Sequence, residues 1–175
     1  MRPALVIALA LLAPLPAAAE GGRPGEAGAG KGVAKTLGVG DEVKDLLLPL
    51  AEGGNWSAAA ARGKAVVMVF AGSWSAESME ALRRLGDPKG RLAGKAELLG
   101  VLRDVGAEKA KEAAAAAKVA VRVAADPRRR AYDLFASRGL PYTVVIDRDG
   151  KVALSAGGYD EEAVAAKLEA LARTK

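Results

Sequence analysis

The sequence predicts an α/β sandwich with a mixed central sheet, and three observations carry that prediction. Residues 65–71 are continuously apolar and rich in Val, which is the pattern of a strand covered on both faces. Helical periodicity follows, because Met79, Leu82 and Leu85 are spaced to share one face. Near the C-terminus, Asp149-Gly150 separates two apolar segments and indicates a hairpin. Strands that alternate with helices and end in a hairpin imply helices on both faces of one sheet.

The individual elements follow from local signals. An apolar run at residues 46–50 and a Gly-Gly-Asn turn at 53–55 precede the Val-rich strand, and Trp56 leads a short Ala-rich turn. The first helix begins near Ala76 and ends at Gly86-Asp87-Pro88. Further strands are expected at 97–102, 119–124, 142–146 and 151–156, and further helices at 108–118, 128–137 and 160–172. Gly139-Leu140-Pro141 is expected to break the regular secondary structure before the hairpin.

The N-terminal residues have the layout of a secretory signal peptide at residues 1–19. Arg2 precedes ten apolar residues, and Ala17-Ala18-Ala19 resembles a cleavage site. The apolar run is too short to cross a bilayer as a helix. Residues 20–37 contain six glycines and form a predicted flexible linker. We therefore expect an exported protein, periplasmic or secreted, with one domain at 38–175 and no transmembrane segment after signal cleavage.

Composition narrows the possible chemistry. The 175 residues include neither cysteine nor histidine, and the formal net charge is +5. Disulfides, thiolate catalysis and a cysteine-linked lipid anchor are therefore excluded. Nucleic acid is not expected as a partner, because aromatic residues are scarce and the basic residues alternate with acidic ones. The sequence does not indicate an oligomeric state.

Four landmarks resemble the thioredoxin-like superfamily, and together they cover about residues 38–173, which is nearly the whole chain expected after signal cleavage. They are Gly40-Asp41 with Leu48-Pro49, residues 62–70 (RGKAVVMVF), residues 74–78 (WSAES) and residues 139–152 (GLPYTVVIDRDGKV). The chain is most similar to the exported TlpA/ResA-type reductases and their redoxin relatives. This resemblance implies a thioredoxin-like three-layer α/β/α sandwich. It also implies that Pro141, preceded by Leu140, is a cis-proline beside a substrate groove, with Trp74 and Tyr142 as further groove residues.

The chain departs from that family at the two positions that perform its chemistry. The family places a cysteine at the helix N-terminus, where the dipole lowers its pKa, and a second cysteine three residues later. Here these positions are Ser75 and Ser78. A helix dipole contributes at most about 2 kcal/mol, which is far too little to ionise a serine hydroxyl at neutral pH. Redox turnover through this turn is therefore excluded.

Other chemistry at this turn has little support. A nucleophilic serine needs a base, and the chain has no histidine and no Gly-x-Ser-x-Gly elbow. A Ser–Lys dyad is conceivable, but no spacing indicates one. Capping of the helix by Ser75 or Ser78 is the favoured interpretation. No metal site or cofactor is expected, because Asp147, Asp149 and Gly150 do not continue into a calcium loop.

Three hypotheses of function follow. The first is a non-catalytic thioredoxin-like protein of the cell envelope that binds a peptide or an envelope protein at the cis-proline groove. The second is a Cys→Ser form, engineered or divergent, of a thiol–disulfide oxidoreductase concerned with cell redox homeostasis. The third is a redoxin or peroxiredoxin-like protein, although the Pro-x-x-x-Thr segment that precedes the peroxidatic cysteine is missing and Ser75 would replace that cysteine.

Overall fold

The structure is a computed structural model that describes residues 36–135 and 139–174. The predicted signal peptide (1–19) and linker residues 20–35 lie outside the described residues, so both stay predictions. The strands are β1 Leu47–Pro49, β2 Asn55–Ser57, β3 Val66–Ala71, β4 Glu97–Leu102, β5 Arg122–Ala125, β6 Tyr142–Ile146 and β7 Val152–Gly157. The helices are α1 Ala76–Leu85, α2 Ala107–Ala116, α3 Arg130–Phe135 and α4 Glu161–Arg173.

One mixed sheet forms the centre of the fold, with the strand order β5-β4-β3-β6-β7. Strands β3, β4 and β5 run parallel, whereas β6 is antiparallel to β3 and to β7. The parallel strands need long crossovers, and the chain supplies helices for them. The predicted α/β sandwich with a mixed central sheet is confirmed.

Helices cover both faces of this sheet because β3 is apolar on both sides. All six residues of β3 are buried. Phe70 points to the face covered by α3 and by Trp56 of β2, which we call the α3 face. Val69 points to the opposite face, where it shares a core with Leu82 of α1 and Leu168 of α4. Each fully buried side chain of this size stabilises the fold by about 1.5–3 kcal/mol relative to an exposed one.

The structure corrects the predicted start of β5 and adds a hairpin. Residues 119–121 were expected to begin a strand, but β5 begins only at Arg122. The cause is tertiary. Lys118, two residues after the end of α2, adopts a left-handed conformation, and the chain then passes Gly86, where a Cβ would lie 2.9 Å from the backbone nitrogen of Val121. The hairpin of β1 and β2 was not predicted, because strands of three residues are too short to show alternation.

Two aspartate side chains accept hydrogen bonds from N–H groups in the first turn of a helix, as the local sequence suggests. Asp160 accepts hydrogen bonds from the backbone N–H groups of Glu162 and Ala163, at 3.0 and 3.1 Å, and so begins α4. Asp126 accepts from the backbone N–H of Tyr132 at 2.9 Å and caps the short α3. Within the described residues, no helix is long and apolar enough to cross a membrane.

The contact between α1 and β4 gives a test of this packing. A Cβ at Gly100 would lie 3.0 Å from Cδ2 of the fully buried Leu82, so we expect Gly100→Ala to lower the free energy of unfolding by about 1–3 kcal/mol. Gly157→Ala is the matched control, because that strand position has no atom within 4 Å of the added Cβ. Urea denaturation measures both variants, and equal stabilities would contradict the packing.

Candidate functional site

The turn between β3 and α1 is closed by its own backbone and by Ser75. The Ser75 N–H donates to the carbonyl oxygen of Gly72 at 3.0 Å. Ser75 is the N-cap of α1, and its Oγ accepts a hydrogen bond from the Ser78 N–H at 3.2 Å. The predicted capping role is therefore confirmed for Ser75, which supplies a partner for an N–H group that the helix leaves unpaired.

Ser78 lies in the same turn of helix but in a different environment. Its side chain is fully buried, and its Oγ has no hydrogen-bond partner among the described residues. A buried hydroxyl without a partner is unfavourable, because its desolvation is not offset by a hydrogen bond. The structure thus brings Ser75 and Ser78 together within one turn, with one hydroxyl committed to capping and the other isolated from solvent.

A second contact fixes this turn to the end of β4. The Ser73 N–H donates to Oδ1 of Asp104 at 2.9 Å, and the Ser73 hydroxyl donates to Oδ2 of the same carboxylate. Sequence reasoning missed Asp104, which is 31 residues away and carries no motif of its own. Only the parallel pairing of β3 and β4 places it beside Ser73.

Trp74 and Leu140 meet over Gly72. A Cβ at Gly72 would lie 2.9 Å from Cε2 and Nε1 of the Trp74 ring and 3.2 Å from Cδ1 of Leu140. The ring therefore rests on the Gly72 backbone with Leu140 beside it, while 72% of Trp74 stays exposed. We call Gly72, Trp74 and Leu140 the apolar ledge.

The loop that carries Leu140 is fixed from three sides. The Leu140–Pro141 peptide bond is cis. Pro141 is buried, and its carbonyl accepts from the Gly158 N–H at 2.8 Å. The Tyr132 hydroxyl donates to the carbonyl of Gly139 at 2.7 Å. These contacts hold Leu140 at the carboxyl end of β3.

Tyr142 is less exposed than Trp74 and packs toward the core. It is half-buried, its ring meets that of Tyr132 edge-on with centroids 6.4 Å apart, and its hydroxyl lies 2.9 Å from Oγ of Ser155. Tyr142 thus packs against Tyr132 and contacts Ser155 of β7, whereas Trp74 and Leu140 belong to the apolar ledge.

Two arginine side chains near this site lie over the ring of Tyr132. The guanidinium carbons of Arg103 and Arg129 lie 4.7 and 5.4 Å from its ring centroid. Burial raises the pKa of the Tyr132 hydroxyl, so it stays neutral and serves as a donor. Burial also raises the pKa of Asp126, against the lowering effect of the α3 backbone N–H groups. Across the described residues, no cluster of three or more acidic side chains is placed to hold a metal ion.

We predict different effects on stability when the two serine hydroxyls are removed. Ser75→Ala removes the cap of α1 and should lower the free energy of unfolding by about 1 kcal/mol. Ser78→Ala removes an unpartnered buried hydroxyl and should leave stability unchanged or raise it by up to about 1 kcal/mol. Urea denaturation of both variants gives the comparison, and a destabilised Ser78→Ala would mean that its hydroxyl has a partner.

Several solved structures share this fold. A protein assigned as thiol:disulfide interchange protein DsbE, from Chlorobium tepidum, superposes with a TM-score of 0.68 and 25% identity, over 78% of this chain and 99% of that one. Peroxidoxin BcpB from Mycobacterium tuberculosis gives 0.64 and 20%, over 79% and 99%. The exposed lipoprotein thioredoxin of Streptococcus pneumoniae gives 0.61 and 20%, over 71% and 98%.

The family comparison agrees with these structures. No match was found among curated proteins. The model of the AhpC/TSA family matches residues 39–155, which include the Trp74 turn, the cis-proline loop and the hairpin that follows it. The landmarks that resemble thioredoxin-like proteins are thus the parts that the family model covers. The chain belongs to the AhpC/TSA family of thioredoxin-like proteins.

Proposed function

We propose that this chain is a thioredoxin-like protein of the cell envelope that binds a peptide or an envelope protein without catalysing thiol–disulfide exchange. The observation that carries the proposal is the apolar ledge. Trp74 is a large apolar side chain that is 72% exposed, and it lies against Gly72 beside Leu140. Exposed aromatic side chains of this kind are common anchors of protein interfaces.

The absence of catalysis rests on the two serines. Thiol–disulfide exchange needs a thiolate that attacks a disulfide and a second thiol that resolves the mixed disulfide. Ser75 and Ser78 offer hydroxyl groups, of which one caps α1 and the other is buried. Binding at the apolar ledge needs neither thiol, so the loss of the exchange chemistry leaves the ledge available to a peptide.

A location outside the cytoplasm is part of the proposal. The predicted signal peptide at residues 1–19 supports export to the periplasm or beyond the cell. The similarity to an exposed lipoprotein thioredoxin supports the same compartment, although this chain has no cysteine for a lipid.

Binding to an array of unstructured peptides tests the ledge. Trp74→Ala should weaken binding about tenfold or more, because a central aromatic anchor commonly contributes about 2 kcal/mol. Leu140→Ala should weaken it as well. Leu47→Ala is the matched control, since Leu47 is 60% exposed but belongs to β1. Binding that neither Trp74→Ala nor Leu140→Ala affects would refute the proposal.

One observation favours the second candidate, a Cys→Ser form or divergent member of a thiol–disulfide oxidoreductase. Position 75 is the N-cap of α1, and its side-chain oxygen already accepts the Ser78 N–H. Backbone N–H groups at a helix N-terminus lower the pKa of a cysteine placed there. The turn thus keeps the geometry that the missing thiols would need. A peroxiredoxin-like activity would need a thiol at the same position.

The double variant Ser75→Cys, Ser78→Cys separates the two candidates. We expect the introduced thiols to oxidise to an intramolecular disulfide, because they lie within one helical turn. Insulin reduction, compared with that of the two single variants, is the measurement. Turnover by the double variant alone supports the oxidoreductase candidate. An inactive double variant that still folds, as circular dichroism reports, leaves binding as the function.

A further inference from the structure

Arg103 places a charged group without an acidic partner at the carboxyl edge of the sheet. Its backbone N–H donates to the carbonyl of Ala71 at 3.1 Å, directly after β4. Its Nε is buried without a hydrogen-bond partner, and in the described part of the chain the guanidinium forms no ion pair. Arg103 is half-buried, so a buried Nε without an acceptor carries a desolvation cost that no hydrogen bond from the described residues offsets.

The nearest acidic residues in the sequence and in the sheet are already occupied. Asp104 receives the N–H and the hydroxyl of Ser73. Asp126 directly follows β5, the strand next to β4, but its carboxylate accepts a hydrogen bond from the Tyr132 N–H at 2.9 Å. Asp133 pairs with Arg129 at 3.2 Å, so that pair does not neutralise Arg103.

Strand register places Arg103 beside the apolar ledge. Ala71 pairs with Leu102, so Gly72 and Arg103 are neighbours about 5 Å apart across the parallel strands. Phe70 and Val101 point to the α3 face, and by alternation Gly72 and Arg103 face the same side. Trp74 and Leu140 lie over Gly72 on this side. The cation and the ledge therefore share one surface.

Tyr132 fixes the guanidinium in this position. The guanidinium carbon lies 4.7 Å from the Tyr132 ring centroid, and the Tyr132 hydroxyl donates to Gly139, the residue before Leu140. Stacking on an aromatic ring orients the planar guanidinium and lowers the entropy lost when it binds a ligand. Arginine held in this way is suited to a carboxylate, which it can bind through two parallel hydrogen bonds.

We propose that Arg103 recognises a carboxylate of the bound peptide: an Asp or Glu side chain pairs with its guanidinium while an adjacent apolar side chain packs on Trp74 and Leu140. This inference rests on the proposed peptide-binding function and adds the class of peptide. The apolar residue supplies buried area, and the acidic residue supplies the counter-ion that the described residues do not provide for Arg103.

The test uses the full chain and two nonapeptides with blocked ends that differ only in Glu or Gln beside a central Leu. Binding is followed by the NMR signal of the Trp74 indole N–H, which Trp74→Ala identifies. We expect the Glu peptide to bind about tenfold more tightly than the Gln peptide. Arg103→Gln should abolish this difference without weakening the Gln peptide, and Arg103→Lys should keep part of it. Arg83→Gln is the charge-matched control, because the Arg83 side chain on α1 is exposed.

Each other outcome overturns a defined part of the inference. Equal binding of both peptides by the unmodified chain refutes carboxylate recognition but agrees with the proposed peptide binding at the apolar ledge. Binding of neither peptide refutes the proposed function and this inference with it. A third arm adds sodium acetate alone. If acetate displaces the Glu peptide at concentrations comparable to that of the peptide, the ligand is a free carboxylate and the peptide assignment is wrong.

Discussion

The burial of β3 between β4 and β6 is the constraint on which the site depends. Both edges of β3 are paired and both its faces are covered. The position of its carboxyl end is therefore fixed. The turn to α1, the end of β4 and the loop before β6 must therefore converge at Gly72. A side chain at this point would displace Trp74 and Leu140, since a Cβ would lie 2.9 Å from the Trp74 ring and 3.2 Å from Leu140. The apolar ledge is thus a consequence of strand order as much as of local sequence.

The serines show that this architecture does not need thiols. Ser75 caps α1 through the Ser78 N–H, which is a structural role that a hydroxyl fills well. Ser78 is different, because its buried hydroxyl has no partner in the described structure. A thiol tolerates such a site better, since cysteine behaves as a small apolar residue. The environment at position 78 therefore suits a cysteine more than the serine it contains, whereas position 75 suits either.

The sequence predicts the parts of the fold whose signals are local. The Val-rich β3, the helical period of α1 and the Asp-Gly hairpin were recognisable because each spans enough residues to show a pattern, and Ser75 was identifiable as a cap. The pairing of Ser73 with Asp104 and of Arg103 with the Tyr132 ring was not recognisable. Both depend on the register of β3 and β4 and on where α3 packs, which no local pattern encodes. For the same reason, sequence reasoning grouped Tyr142 with Trp74 although its ring turns toward the core.

The two tryptophans of the chain make the case for a binding surface. Trp56 is buried on the α3 face, and its indole N–H donates to Glu97 at 3.0 Å, so both its ring and its polar atom contribute to the fold. Trp74 lies against Gly72 beside Leu140, and most of its surface faces solvent. The cap of α1 comes from Ser75 and the anchor of the turn from Ser73, so neither task requires an indole at position 74. An exposed indole beside a guanidinium that has no ion pair among the described residues combines an apolar side chain with a directional charge, and these are the two components that the proposed recognition of an acidic peptide uses.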